Sequence, residues 1–385
     1  MQLLNKSSEP VFRERALFND LVNRCWHLIQ YKGSSVNEYE NVSYSLSLFS
    51  GKGYSSKGII DRIVGGAKVL FDLKYMQYWE GLSLELIRKT IAVTTATLWT
   101  SPEKARPIDQ KAITNPVKLE SWIENLTYSQ SLELCDDNHI QSQVLYGEEV
   151  IILDERGNWS YVLVPSQPSS KDERGYPGWI PTVQLSEQVP EQFDSSITVN
   201  KHGARMITVN GDTELSLSFQ TVLPLMEESQ SDYLVWTPHG KSIVQKDDAN
   251  LRPSKTPYGT GEDLVHEAEQ FIGLLYLWGG MSSFGYDCSG FSYNMARAIG
   301  CTIPRDAHDQ FKGGKVIKDG EWEKGDLLFF AYEQGKGAVH HVGIYYGEGR
   351  MIHSPSTGRF IEITPLKGTL YEEELCGVRR YWGNS

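Results

Sequence analysis

The chain has 385 residues, too long for one small core, so roughly two to four domains are expected. Its formal net charge of −12 argues against nucleic acid or an anionic membrane surface as the main partner. No run of about 18 apolar residues occurs, so no membrane span is expected.

The N-terminal stretch "MQLLNKSSEPVFRERALF" carries charges where a secretory apolar region would lie. The expected location is the cytoplasm, with secretion as the alternative if the true start lies elsewhere. Five cysteines (Cys25, Cys135, Cys288, Cys301, Cys376) are widely spaced, odd in number and without a C-x-x-C pair. That usage fits a reducing compartment better than a disulfide framework. Residues 1–89 are rich in Gly and Ser with short apolar runs. They read equally as a small accessory segment or as sequence upstream of the true start.

From residue 90 the pattern is β-branched strands and Gly/Pro turns. "TIAVTTATLWTSPE" ends in a Ser-Pro turn, and "VLYGEEVIILDERGNWSYVLV" predicts two strands joined at Gly-Asn. "NPVKLESWIENLTYSQSLELC" predicts a helix opened by Pro116 in its first turn. Residues 90–190 are therefore expected to form a small barrel with a helical insertion. Residues 195–251, with turns at His-Gly, Asn-Gly and His-Gly, predict a second, divergent barrel. The aperiodic "RPSKTPYGTG" reads as a linker.

The last domain, 260–385, begins with helical spacing at Leu264, Val265, Ala268, Phe271, Ile272 and Leu275. A second helix opens at Cys288 and ends near Gly300. The strands "GDLLFFAY", "HVGIYYG", "RMIHS" and "CGVRRYW" follow, an α+β order. Cys288 at a helix start, next to Asp287 at the cap, meets unpaired N–H groups and partial positive charge. Both favour a thiolate and can bind an oxyanion. A lone cysteine is more often a small buried hydrophobe; two histidines shift the balance. His341 and His353 lie on consecutive predicted strands, where they can serve as base and orienting group. His340 is expected on the other face, and His308 in a solvent-facing polar stretch. Zinc bound by Cys288, His341 and His353 would lack a fourth ligand and typical spacing.

"YLWGGMSSFGYDCSGFS", "KGDLLFF" and "HVGIYYGEGRMIHSPSTG" together resemble the NlpC-type cysteine peptidases of bacterial cell-wall metabolism. The resemblance implies a papain-like α+β catalytic domain with Cys288 as nucleophile, His341 as base and His353 as orienting residue. It also implies that Tyr276 helps bind the oxyanion. "LWTSPE", "LYGEEVIILDERGNWSYV" and "GYPGWI" resemble bacterial SH3-like domains. Two such barrels before an NlpC-type domain are similar to the YkfC group of γ-D-glutamyl-L-diamino acid endopeptidases. That similarity implies murein peptides as partners, release of L-Ala-D-Glu, a requirement for a free N-terminal L-Ala, and no cofactor. It further implies that Asp287 and Ser289 contact the substrate amine, with Tyr176 closing the pocket and Trp278 and Arg305 as further substrate contacts. The alternatives for Trp278 and Arg305 are core packing and a surface salt bridge. Rival readings of the whole chain are a secreted or phage-type wall hydrolase and a non-catalytic wall-binding protein.

One geometric condition follows from strand parity. His341 and His353 can act together only on one sheet face. Opposed residues of an antiparallel pair share a face, so these two require an odd loop or an added bulge residue. A three-residue loop, Gly347-Glu348-Gly349, would set His341 opposite Pro355 and His353 opposite Gly343.

Overall fold

In the first barrel seven short antiparallel strands enclose a core of Ile91, Ala96, Leu98, Val144, Val162 and Ile180. They are β1 (Arg88–Ile91), β2 (Thr95–Trp99), β3 (Ile140–Leu145), β4 (Glu149–Arg156), β5 (Trp159–Val164), β6 (Tyr176–Pro181) and β7 (Leu185–Ser186). The order is β3-β2-β6-β5-β4-β1-β7. The computed structural model describes residues 86–188, 193–252 and 259–383. The expectations for the rest of the N-terminal segment, for Cys25 and for most of the linker lie outside them.

The β4–β5 hairpin turns at Gly157-Asn158, as expected, with Arg156 opposite Trp159. Gly178 in "GYPGWI" allows β6 to lie against Leu98, whose Cγ would be 2.4 Å from an added Cβ. The predicted single helix of the insertion is replaced by Leu119–Asn125 and Tyr128–Asp136, preceded by Gln110–Ile113. Pro116 lies outside the first of these pieces. The break falls at Thr127, whose hydroxyl accepts from the Gln130 amide while the Gln130 side chain accepts from the Thr127 amide. This reciprocal cap starts a new helix and ends the old one.

The second barrel comprises β8 (Ser196–Val199), β9 (Ala204–Thr208), β10 (Glu214–Leu217), β11 (Val222–Glu228), β12 (Asp232–Val235), β13 (Ser242–Gln245) and β14 (Ala249–Arg252). Its order, β10-β9-β13-β12-β11-β8-β14, repeats the first barrel strand for strand. Gly203, Gly211 and Gly240 sit in left-handed conformations at the three expected turns.

The third part opens with the helix Gly261–Glu269, capped by Thr260 and Asp263. It is shorter than its apolar spacing predicts: Ile272 is 50% exposed, and Leu275 instead bridges to Phe360. After the hairpin β15 (Met281–Ser282) and β16 (Gly285–Tyr286), the helix Cys288–Ala298 runs through the core, buried from Cys288 to Ala296. The helix Ala307–Lys312 follows. The six-stranded sheet is β17 (Lys315–Ile317), β18 (Leu327–Ala331), β19 (Val339–Gly347), β20 (Arg350–His353), β21 (Glu362–Pro365) and β22 (Leu375–Arg380). Its order is β17-β22-β18-β19-β20-β21. The sequence analysis did not indicate β17 or β21, of three and four residues. A short helix, Leu370–Glu374, precedes β22.

The β19–β20 hairpin has the expected register: Ile344 faces Ile352 and Tyr345 faces Met351. It gets there by another route. The loop is the two-residue turn Glu348-Gly349, both left-handed (φ 53° and 70°), and a bulge at Tyr346 restores parity before Gly347 meets Arg350.

Gly290, in the first turn of the buried helix, lets that helix approach the 280 loop. A Cβ there would stand 2.0 Å from the Gly280 carbonyl oxygen, a backbone atom that no rotamer change can move. Gly290→Ala is expected to destabilise the protein by about 1–3 kcal/mol or more. An unchanged denaturation midpoint would refute this close approach.

Candidate active site

Cys288 is the first residue of its helix, and Asp287 is the N-cap, its Oδ1 accepting the Gly290 N–H at 2.6 Å. The helix start was expected to lower the thiol pKa. Instead, burial pushes it up to about 12, aided by the Asp287 carboxylate and only partly opposed by hydrogen bonding from the Val342 and Ser289 backbone. Desolvation of the charged form outweighs the helix terminus here. The resting group is a thiol, and its contact with Val342 sets it against β19, one residue from His341.

His341 and His353 come together as the parity condition requires. His341 Nε2 lies 2.8 Å from His353 Nδ1, with the rings crossed at 75°. Both are buried. Gly343 supplies the room: an added Cβ there would lie 3.3 Å from His353 Cβ. Burial, then the neighbouring His353 and His340, hold His341 well below the usual imidazole range. Burial, then Arg359, lowers His353 to about 3. At neutral pH both rings are uncharged, each with one donor and one acceptor nitrogen. Tyr371, not indicated by the sequence, packs on both, 5.5 Å from His341 and 5.1 Å from His353 between ring centres. His340 is engaged elsewhere, stacked on Tyr332 with its Nε2 3.1 Å from Glu374. His308 is exposed, as expected.

Asp287 and Ser289 are both nearly fully buried. They hold Arg305, which is 1% exposed. The guanidinium donates to Asp287 Oδ2 at 2.7 Å, Asp287 Oδ1 at 3.2 Å and Ser289 Oγ at 2.8 Å. Its Nε donates to Ser142 of the first barrel at 2.9 Å. Arg305 is thus not a surface ion pair but a buried bridge between two domains. Trp278 is held likewise, its indole N–H donating to the Ile140 carbonyl at 3.2 Å within an aromatic cluster around Trp99 and Trp122. Tyr276 is buried. Its phenol is kept protonated by burial first, then by the nearby Cys288 and Asp287.

Tyr176 does reach across from the first barrel. Its hydroxyl donates to Asp306, 3.0 and 3.1 Å from the two carboxylate oxygens. Lys171 Nζ donates to the same hydroxyl and lies 3.4 Å from Asp306 Oδ2. Asp306 was missed because "PRDAHDQF" reads as an ordinary polar stretch; nothing in its spacing signals a partner 130 residues earlier. Gln143, also from the first barrel, accepts from the Met281 amide and the Ser282 hydroxyl, both at 3.0 Å. Among the described residues, a group with metal-ligand spacing is Asp306, His308 and Asp309. Its carboxylates are already held by Tyr176, Ser170 and Lys312. It does not include Cys288, His341 or His353.

A thiol at a helix start beside a coupled pair of neutral imidazoles can perform nucleophilic acyl transfer. Residues 273–380 match the NlpC/P60 family, and residues 199–251 match the YKFC SH3b2 domain. A γ-D-glutamyl-L-lysine dipeptidyl-peptidase of Bacillus subtilis (strain 168) is 48% identical over 291 residues, 76% of this chain and 98% of that protein. The chain belongs to the NlpC/P60 family. A Bacillus cereus protein of the same activity name is 40% identical over 76% of this chain and 90% of its own length. The crystal structure of an NlpC/P60 family protein from Bacillus cereus superposes with a TM-score of 0.74 at 40% identity, over 77% of this chain and 100% of that one. This NlpC/P60 member is therefore a cysteine peptidase whose α+β catalytic domain follows two SH3-like barrels. Among its described residues no helix is long and apolar enough to cross a membrane.

Two outcomes follow for this peptidase. Arg305→Met leaves the Asp287 carboxylate buried without its partner and is expected to cost about 3–5 kcal/mol of stability. Chemical denaturation measures it, and the double variant with Asp287→Asn should recover part of the loss. The second concerns acid. With a folded pKa of about 3 against an ordinary 6.5, His353 binds its proton mainly in the unfolded chain between those values. Its stabilising contribution is complete above pH 6.5 and is lost as pH falls toward 3, at up to about 1.4 kcal/mol per pH unit. Stability measured from pH 7 to pH 4.5 should fall less steeply in His353→Gln; equal slopes would contradict a buried neutral ring.

Proposed function

We propose that this enzyme hydrolyses the γ-D-glutamyl-L-diamino acid bond of murein peptides that carry a free N-terminal L-Ala, releasing L-Ala-D-Glu. The observation that carries the reading is the 2.8 Å His341–His353 contact on the strand whose backbone meets Cys288. Cys288 attacks the γ-glutamyl carbonyl as His341 takes the thiol proton. His353 holds the His341 ring. The buried Tyr276 hydroxyl and the N–H groups at the helix start receive the oxyanion. His341 returns the proton to the leaving amine, the Cys288 thioester forms, and a water deprotonated by His341 then hydrolyses it. No step calls for a cofactor.

Asp287 and Ser289, which also hold Arg305, are assigned to the substrate ammonium, with Asp306, backed by Tyr176, as a second carboxylate for it. The amine would take the place of Lys171, whose ammonium form is already disfavoured by burial. A charge-assisted contact of this kind selects a free amine over an acylated one. The names of the two Bacillus relatives support the bond assigned. The reading includes recycling of free peptides in the cytoplasm. The four cysteines among the described residues are free thiols, which suits a reducing compartment.

The test is to incubate the protein with L-Ala-γ-D-Glu-diaminopimelate, its lysine counterpart and their N-acetylated and muramyl-capped forms, and to identify products by mass. Free peptides should yield L-Ala-D-Glu. Capping should cost one to two decades or more in rate, the equivalent of about 1.5–3 kcal/mol for one charged hydrogen bond. Cys288→Ala should abolish turnover and leave the fold intact. Equal cleavage of capped and free peptides would move the assignment to a wall hydrolase, and normal turnover by Cys288→Ala would end the mechanism.

A further inference from the structure

The histidine pair does not end at His353. Its Nε2 lies 3.0 Å from the Thr364 hydroxyl, and that hydroxyl donates to Glu362 Oε1 at 3.3 Å. Both residues stand on β21, the strand beside β20, where His353 faces Glu362 and Met351 faces Thr364. Residues two apart on a strand share a face, so the sheet itself aligns the chain of contacts. Arg359 donates to the same Glu362 oxygen and fixes the carboxylate in place.

We propose that Thr364 and Glu362 are positioning residues that set the direction of every proton in the histidine pair and so leave Nδ1 of His341 as the bare base nitrogen. The proposal rests on the assignment of His341 as base. A carboxylate only accepts, so the Thr364 proton points to Glu362. The Thr364 oxygen then accepts from His353 Nε2–H. A neutral imidazole has one N–H, which leaves His353 Nδ1 as an acceptor for His341 Nε2–H. His341, likewise neutral, keeps its lone pair at Nδ1, where the Cys288 proton can go. Each link holds one proton, and none is left over.

Reversing one link reverses all of them. If Thr364 donated to His353 instead, its oxygen lone pairs would face the Glu362 carboxylate with no proton between. His353 would then donate from Nδ1, and His341 would carry its proton on Nδ1, unable to accept one from sulfur. When His341 does take the thiol proton, its Nε2–H still donates to His353.

Nitrogen-15 NMR of the imidazole rings of the full chain, with His341→Asn and His353→Asn used for assignment, reads the tautomers directly and independently of activity. The expected result is Nε2–H on both rings; an Nδ1–H form of His353 overturns the proposal. Thr364→Val removes the link, and kcat should fall about 10–100-fold, a part of what a positioned general base supplies, with KM nearly constant. Thr364→Ser keeps the hydroxyl and should restore both kcat and the tautomers. Glu362→Leu should mix the His353 tautomers while leaving the fold intact by circular dichroism. If the murein peptide is cleaved but Thr364→Val turns over normally with unchanged tautomers, the relay is wrong and the peptidase assignment stands. If the peptide is not cleaved while the tautomers are as described, the substrate assignment fails alone.

Discussion

The buried ion pair between Arg305 and Asp287 is the contact on which the rest of the site depends. Asp287 has three tasks at once: it caps the Cys288 helix, receives both arms of the guanidinium, and accepts from Ser289. Arg305 in turn reaches Ser142 on β3, while its backbone N–H donates to the Pro168 carbonyl. One cation therefore fixes the start of the Cys288 helix and docks the first barrel against it. Isolated in a core, either charge would be costly; together, with Ser142 and Ser289 also accepting from the guanidinium, they define one arrangement of two domains.

That arrangement explains why the thiol is not resting as a thiolate. A helix start surrounded by water would favour the anion. Here burial in the core of the catalytic domain dominates, and Asp287 adds negative charge beside the sulfur. The histidines are shifted in the complementary direction, toward the neutral form. Neutral thiol and neutral imidazole avoid a buried charge pair until substrate is present. In the proposed reaction, proton transfer then coincides with attack, where the oxyanion donors can offset the charge that develops.

What the sequence revealed and what it hid divide along physical lines. Strand periodicity and turn glycines were local, so both barrels and the β19–β20 pairing could be read. The register of that hairpin was legible because parity constrains it, although the bulge that achieves it was not; a bulge at Tyr346 leaves no mark in residue type. Cys288, His341 and His353 stood out because their residue types are scarce and lie in turn-rich or strand contexts. Arg305, Asp306, Thr364 and Glu362 are ordinary polar residues whose significance comes from partners brought near only by the fold. The contact between Asp287 and substrate was an implication of the resemblance; the Arg305 that meets its carboxylate is 18 positions further on and gave no local signal.

The repeated strand order in the two barrels sharpens the role of the first. Both follow one topology, but among the described residues only the first carries helices between its second and third strands. Those helices pack Trp122 and Leu134 against Leu277 and Phe284, on either side of the Gly279-Gly280 turn that the Cys288 helix approaches. The same barrel supplies Ser142, Gln143 and Tyr176 to the catalytic domain. The second barrel's polar contacts gather instead at Ser283, which meets His202, Ser218 and the Phe219 amide. Its contact braces the 281–286 hairpin from outside, whereas the first barrel reaches the residues that hold Cys288. Two copies of one topology thus make different contacts: the first meets the catalytic domain through its insertion and through Ser142, Gln143 and Tyr176, and the second keeps the plain barrel and meets it at Ser283.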